Sequence, residues 1–335
     1  LNFKKNNSSI SVFALCDVFY DAYYIQGLQD FFQTKKIKFT LDGFPKFGQG
    51  TFAVILTDGD SVTRIIIDSR DATSMLREQL VWCDVYGKVN YLSAEIPTEF
   101  IAKVFPIGPS FGIKLWNLPQ TFYFAIAHSA KFYKFISNRR EFMANYWRQF
   151  KRLRIAAYKS EASSNKYIFF IGTIWKNEKE TNLYRSYFIS ACQRIENLKF
   201  EGGFAPRKDG KNLGFESLLT KKRYPFKEYL DKIKKSAVVF NTPAVLSCHG
   251  WKLGEFLAMG KAIISTEHKN KLPSPLVGNF HVEYVFPELS NIEKSINKIM
   301  DNENHRKLLE INARTYYETH LAPQKVIETL YNAAK

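Results

Sequence analysis

The chain has 335 residues and carries 48 Lys and Arg against 32 Asp and Glu, a net charge of +16. Such a length exceeds one ordinary core and suits two domains of roughly 150 residues each, and the charge calls for an anionic partner: nucleic acid, membrane surface or phosphate. Cys16, Cys83, Cys192 and Cys248 lack metal-ligand spacing, no window approaches the twenty or so apolar residues that span a bilayer, and LNFKKNNSS at the start holds no apolar signal core, so a cytoplasmic chain is expected, neither secreted nor transmembrane.

In chain order, SISVFALC (9–16) reads as a strand and DAYYIQGLQDFF (21–32) as a helix with apolar residues at helical spacing. TFAVILT and SVTRIIIDS are β-branched runs flanking Asp58-Gly59-Asp60. An Asp-Xaa-Asp triplet can hold a metal and a nucleotide, but Asp-Gly between two such runs favours a hairpin turn, because glycine accepts positive φ. A helix near 72–81, a strand near 85–92 and a short strand at 103–107 follow. IGPSFGIK (107–114) has the glycines and serine of a loop that approaches a ligand, and the lone His128 reads as a core residue.

From Gln120 to Tyr158 the pattern is helical and basic. Between Lys131 and Lys159 stand nine basic residues and one acid, Glu141, interleaved with Phe132, Tyr133, Phe135, Phe142, Tyr146, Trp147 and Phe150. The plainest reading is an amphipathic helix pair with its charges solvated. An anionic membrane surface ranks next and single-stranded nucleic acid last.

KSEASSNK (159–166) is a polar linker. Beyond it the alternation restarts: strand YIFFIGT (167–173), helix near 180–195, strand LKFEGGF (198–204), helix PFKEYLDKIKKS (225–236) and strand AVVFNTP (237–243). Three helices, near 288–301, 304–318 and 324–333, close the chain. Continuous apolar strands alternating with helices argue for a parallel sheet covered on both faces, with ligands at the carboxyl ends of its strands.

The informative loops therefore follow Cys16, Gly172, Phe204 and Pro243. The last leads through Ser247, Cys248, His249 and Gly250 into the helix and strand WKLGEFLAMGKAIIS (251–265). A helix start of this kind offers backbone amides to a phosphate. Lys252 in the first turn opposes the helix dipole by itself and becomes favourable once an anion is bound. Glu255, one turn on, could accept hydrogen bonds from vicinal hydroxyls, or be an exposed or salt-bridged residue.

GWKLGEFLAMGKAIIS resembles the donor-site helix and following strand of nucleotide-sugar glycosyltransferases of GT-B architecture, carried by Glu255, Ala258, Met259, Gly260, Lys261, Ile263 and Ile264. The resemblance implies an α/β fold of two Rossmann-like domains facing across a cleft: an acceptor-binding domain over 1–160, a donor-binding domain over 165–318, and a C-terminal helix over 319–335 that packs back on the first. It implies transfer of a sugar from a nucleoside-diphosphate sugar to a glycan or lipid-linked acceptor, in surface polysaccharide or glycoconjugate biosynthesis. The basic stretch over 131–159 adds the expectation of peripheral association at the inner face of the membrane, and the turn at 58–60 with cations around the phosphate site that of transfer without a metal. Donor contacts then fall to Gly172, Lys176, Arg207, His249, Gly250, Lys252 and Glu255. Asp17 and Asp21 are the candidate catalytic bases, Asp21 also reading as a helix N-cap, with Asp68 and Asp71 behind them. Retaining relatives carry a second glutamate where this chain has Ser247, so both stereochemical outcomes stay open. A nucleotide-sugar epimerase and a basic nucleic-acid-binding protein are the competing readings.

Overall fold

The computed structural model describes residues 8–335; the opening stretch read above as lacking a signal core lies, up to residue 7, outside the described residues. The protein is an α/β fold in two compact units. One holds the chain through Ala157 together with Lys271–Pro273 and Thr319–Lys335, and the other holds Tyr158–Asn270 and Ser274–Glu318.

The first unit begins with β1 (Ser8–Phe13), α1 (Val18–Phe31) and β2 (Lys38–Thr40), a parallel crossover. Next come β3 (Phe52–Asp58) and β4 (Ser61–Asp68), antiparallel, with Asp58 opposite Ser61. Gly59, at φ 62°, makes the two-residue turn between them, so the Asp58-Gly59-Asp60 triplet is a hairpin tip and the Asp58 carboxylate accepts from Ser8 Oγ at 2.7 Å. Then follow α2 (Arg77–Trp82), β5 (Val85–Lys88) and β6 (Val104–Pro106). The sheet order is β2-β1-β3-β4-β5-β6, parallel except where β3 pairs with β1 and β4. IGPSFGIK is buried structure: Gly108, at φ 67°, lies against Leu321, Pro273 and Leu272, which leaves no ligand-facing loop there. The basic stretch folds as α3 (Leu118–Lys131) and α4 (Arg139–Phe150), two helices broken at the turn between them. His128 is a core residue, its Nδ1 2.7 Å from the Tyr146 hydroxyl, and burial lowers its pKa to about 4.

The second unit contains β7 (Tyr167–Thr173), α5 (Lys179–Arg194), β8 (Lys199–Ala205), α6 (Phe226–Lys235), β9 (Val238–Asn241), α7 (Trp251–Ala258), β10 (Ala262–Ser265), β11 (Glu283–Tyr284), α8 (Leu289–Asp301) and α9 (Glu303–Tyr316). Every strand pair is parallel, in two ladders, β7-β8 and β9-β10-β11. They are joined where β7 and β9 begin: Ala237 N–H donates to the Tyr167 carbonyl at 2.8 Å, and Phe169 N–H to the Ser236 hydroxyl at 2.9 Å. Across this join the order is β8-β7-β9-β10-β11, so the strand order reverses between β7 and β9. Phe170, Phe188 and Phe240 centre the core, Phe188 stacked on Phe240 at 4.6 Å.

A π-helical turn, Tyr317–Leu321, brings the chain back into the first unit, where α10 (Pro323–Ala333) lies on α1. Gly27 makes that approach possible: a Cβ there would overlap the Pro323 carbonyl and come within 2.9 Å of Ile327. One turn earlier, the Tyr23 hydroxyl donates to the Leu321 carbonyl at 2.6 Å.

Candidate functional site

In parallel sheets the gap at an order reversal is where side chains and ligands gather, at the carboxyl end of the strands. Past the join, the carbonyl of Ile171 on β7 accepts from Lys252 Nζ. The ammonium also lies 4.9 Å from the centre of the Phe170 ring. Beside it, Arg185 donates through Nε to Thr242 Oγ1 at 3.0 Å and through a terminal nitrogen to the Thr173 carbonyl at 2.9 Å. Two cations therefore occupy the mouth of the β7–β9 gap. Burial, then the neighbouring Arg185, lowers Lys252 to about 7, with Glu255 acting against them. Burial lowers Arg185 to about 10.

Glu255 follows Lys252 by one turn and is only 4% exposed. The Tyr229 hydroxyl, from α6, is 3.5 Å from its carboxylate, long for such a bond. The reading as an exposed helix position is thus excluded. Gly250 is the N-cap of α7 and makes no side-chain cap. His249 is buried, its ring 5.3 Å from that of His268, whose pKa burial lowers to about 4. The loop ahead of α7 is strained: Leu246 and Ser247 sit at φ 56° and 59°, a region costly for side-chain-bearing residues.

The remaining donor-side candidates lie on the neighbouring loops of the same edge. Arg207, after β8, pairs with Asp209 at 2.6 Å and donates to the Ile174 carbonyl at 2.9 Å, tying the β8 loop to the β7 loop. Lys176 is exposed on the β7 loop. Gly172 is explained by packing, since a Cβ would meet the rings of Phe170 and Phe204 at 3.0 and 3.2 Å. Arg185 is not among the expected donor contacts, although Thr181, Arg185, Phe188 and Cys192 share one helical stripe on α5 and a charge on a buried stripe is a readable signal.

In the first unit a separate cavity of about 480 Å³ opens at the carboxyl ends of β1 and β4, lined by Asp17, Tyr20, Asp21, Asp68, Arg70 and Asp71 among others. The expected helix cap is corrected here. Asp17 is the N-cap of α1, accepting from Phe19 N–H at 2.9 Å, whereas Asp21 sits in the first turn and accepts from Asp17 N–H at 2.8 Å. The second Asp17 oxygen accepts from Asn145 at 2.8 Å. Burial, reinforced by the Asp17 charge, pushes Asp21 well above the usual carboxylate range, and burial raises Asp17. Asp68 is occupied differently. It accepts from Lys88 at 2.8 Å, Tyr86 at 2.7 Å and both ends of the Arg70 fork at 2.9 and 2.6 Å. Burial opposes its ionisation, but Arg70 and Lys88 prevail and hold it below its ordinary value. A carboxylate so engaged is a structural hub.

No family model matches the chain, and no curated protein matches it. Among solved structures, the chain is similar to Anabaena HepE in complex with UDP, at 12% identity over 80% of this chain and 77% of that one, with a TM-score of 0.44. A glycosyltransferase from Rickettsia africae ESF-5 is similar at 10% identity over 79% of this chain and 68% of that one, also with a TM-score of 0.44. TarM is similar at 10% identity and a TM-score of 0.44 over 80% of this chain, which spans about half of TarM, 48%.

Proposed function

We propose that the protein is a glycosyltransferase that moves a sugar from a nucleoside-diphosphate sugar to a hydroxyl of a glycan or lipid-linked acceptor. The observation that carries this reading is the gap between β7 and β9, where Lys252 and Arg185 stand beside the start of α7 with Glu255 one turn below. Cations and helix amides fixed in advance favour a diphosphate, and more so as it leaves with growing negative charge. Glu255 takes the ribose hydroxyls, which replace the long contact from Tyr229.

In the transfer, the bond from the anomeric carbon to the diphosphate oxygen breaks, a bond to the acceptor oxygen forms, and the acceptor proton must leave. The raised pair Asp17 and Asp21 supplies the proton acceptor in this reading, because an ionised carboxylate with a raised pKa is a stronger base. The cavity beside them is assigned to the acceptor. The charge on the diphosphate is met by side-chain cations in this scheme, and turnover in excess chelator is the expected behaviour.

The test is binding and turnover on one variant. Glu255→Gln keeps the shape and removes the charge, so nucleoside diphosphate affinity should fall by roughly 1 to 3 kcal/mol, about ten- to a hundredfold, with the melting temperature retained. A lowered melting temperature with unaltered affinity in the folded fraction would make Glu255 structural and remove the ribose assignment. Interconversion of a nucleotide sugar without any acceptor would replace the transferase by an epimerase.

A further inference from the structure

The α3–α4 hairpin hides one set of aromatics and presents another. Phe132, Phe142 and Tyr146 are buried, whereas Phe122, Tyr123, Ile126, Tyr133, Phe135 and Trp147 are 43 to 67% exposed. The exposed residues are ordered. Phe122 on α3 meets Trp147 on α4 at 6.3 Å between ring centres, and Ser129 Oγ meets Met143 Sδ at 2.7 Å. Phe122, Ile126 and Ser129 step along one side of the seam, Trp147 and Met143 along the other, at helical spacing. The result is an apolar ridge open to solvent, with Phe122, Ile126, Met143 and Trp147 all exposed.

Cations flank this ridge. Arg140 precedes Met143 by one turn, and the Lys151 ammonium lies 5.2 Å from the Trp147 ring. At the turn between the helices a recess of about 400 Å³ is lined by Ala130, Lys131, Tyr133, Lys134 and Phe135. The single acid between Lys131 and Lys159, Glu141, is engaged by Arg148. No helix among the described residues is long and apolar enough to cross a membrane.

We propose that this face docks the protein on the surface of a phospholipid bilayer rich in anionic headgroups. The apolar ridge enters the headgroup boundary while the flanking lysines and arginines meet phosphate, the two-part arrangement that holds amphipathic helices at an interface. Nucleic acid fits less well, because stacking needs ring faces and the ridge includes aliphatic Ile126 and Met143. A second copy would bring like charges together.

Co-sedimentation of the full chain with phosphatidylcholine vesicles, with and without phosphatidylglycerol, tests this. Retention should be at least about tenfold greater on the anionic vesicles and should fall as salt is raised, by about fivefold for each basic contact screened. Phe122→Ser with Trp147→Ser, and separately Lys134→Glu with Arg140→Glu, should each reduce retention about tenfold or more while the variants still melt cooperatively, since none of the four side chains is in the core. Equal retention on both vesicle types, or undiminished retention in both double variants, overturns the proposal. So does an oligonucleotide that vesicles cannot displace, or a dimer in solution that the aromatic pair of substitutions dissolves.

Discussion

A lysine whose ammonium rests on a main-chain carbonyl beside an arginine titrates near neutrality, and its direction matters. Lys252 falls from its ordinary 10.5 to about 7. Between those values the unfolded chain binds the proton that the folded one has lost, so the stability contributed by this group rises with pH across the window, and its cost is fully present below about 7. A bound diphosphate favours the ammonium and reverses the shift. Nucleoside diphosphate affinity is therefore expected to decline above pH 7 by up to about tenfold per unit, accompanied by proton uptake. Calorimetry in buffers of different ionisation enthalpy measures this directly, and Lys252→Met should bind more weakly with the slope removed. A flat profile would take Lys252 out of the phosphate site. That Lys252 and Glu255 fall one turn apart just after a helix start was readable from sequence. That Lys252 would cap the Ile171 carbonyl was not, since the partner lies 81 residues away.

Among the elements, the contact of α10 with α1 depends on a missing side chain. Gly27→Ala would drive a methyl into the Pro323 carbonyl, and because backbone cannot rotate aside the helices must separate. The expected cost is about 1 to 3 kcal/mol, read as a lower denaturation midpoint with unchanged secondary structure. Alanine is otherwise the better helix former, so a stabilised variant would refute the close approach. Most elements could be foretold from periodicity, including the β3–β4 hairpin and the parallel strands of the second unit. The exceptions have identifiable causes. Residues 72–76 stay out of α2 because Lys88 takes the Ala72 carbonyl at 2.6 Å and Arg70 the Ser74 carbonyl at 3.0 Å, acceptors a helix would have needed. The antiparallel partnership of β3 with β1 could not be read either, because a strand's own pattern records which faces are buried and says nothing about which strand lies alongside.

At the scale of the molecule, the first unit is discontinuous in sequence and is completed by the C-terminal segment Thr319–Lys335. Val326, Ile327, Leu330 and Tyr331 of α10 are buried there, and Leu330 reaches the backbone of Gly87 on β5. A chain ending at Glu318 is expected to lose slow hydrogen exchange in α1 and β5 while keeping it in β9 and β10, which belong to the other unit. Uniform loss in both would show one cooperative body, and uniform retention would make α10 dispensable. The Gly27 crossing has a further consequence during translation. The ribosome makes α1 before the second unit and α10 after it, so all of the second unit has left the exit tunnel before the groove beside Gly27 can be filled. Until then residues 27–32 at the end of α1 lack the cover that Pro323, Ile327 and Tyr331 later give them, and the newly made protein carries an exposed apolar surface of the sort chaperones hold.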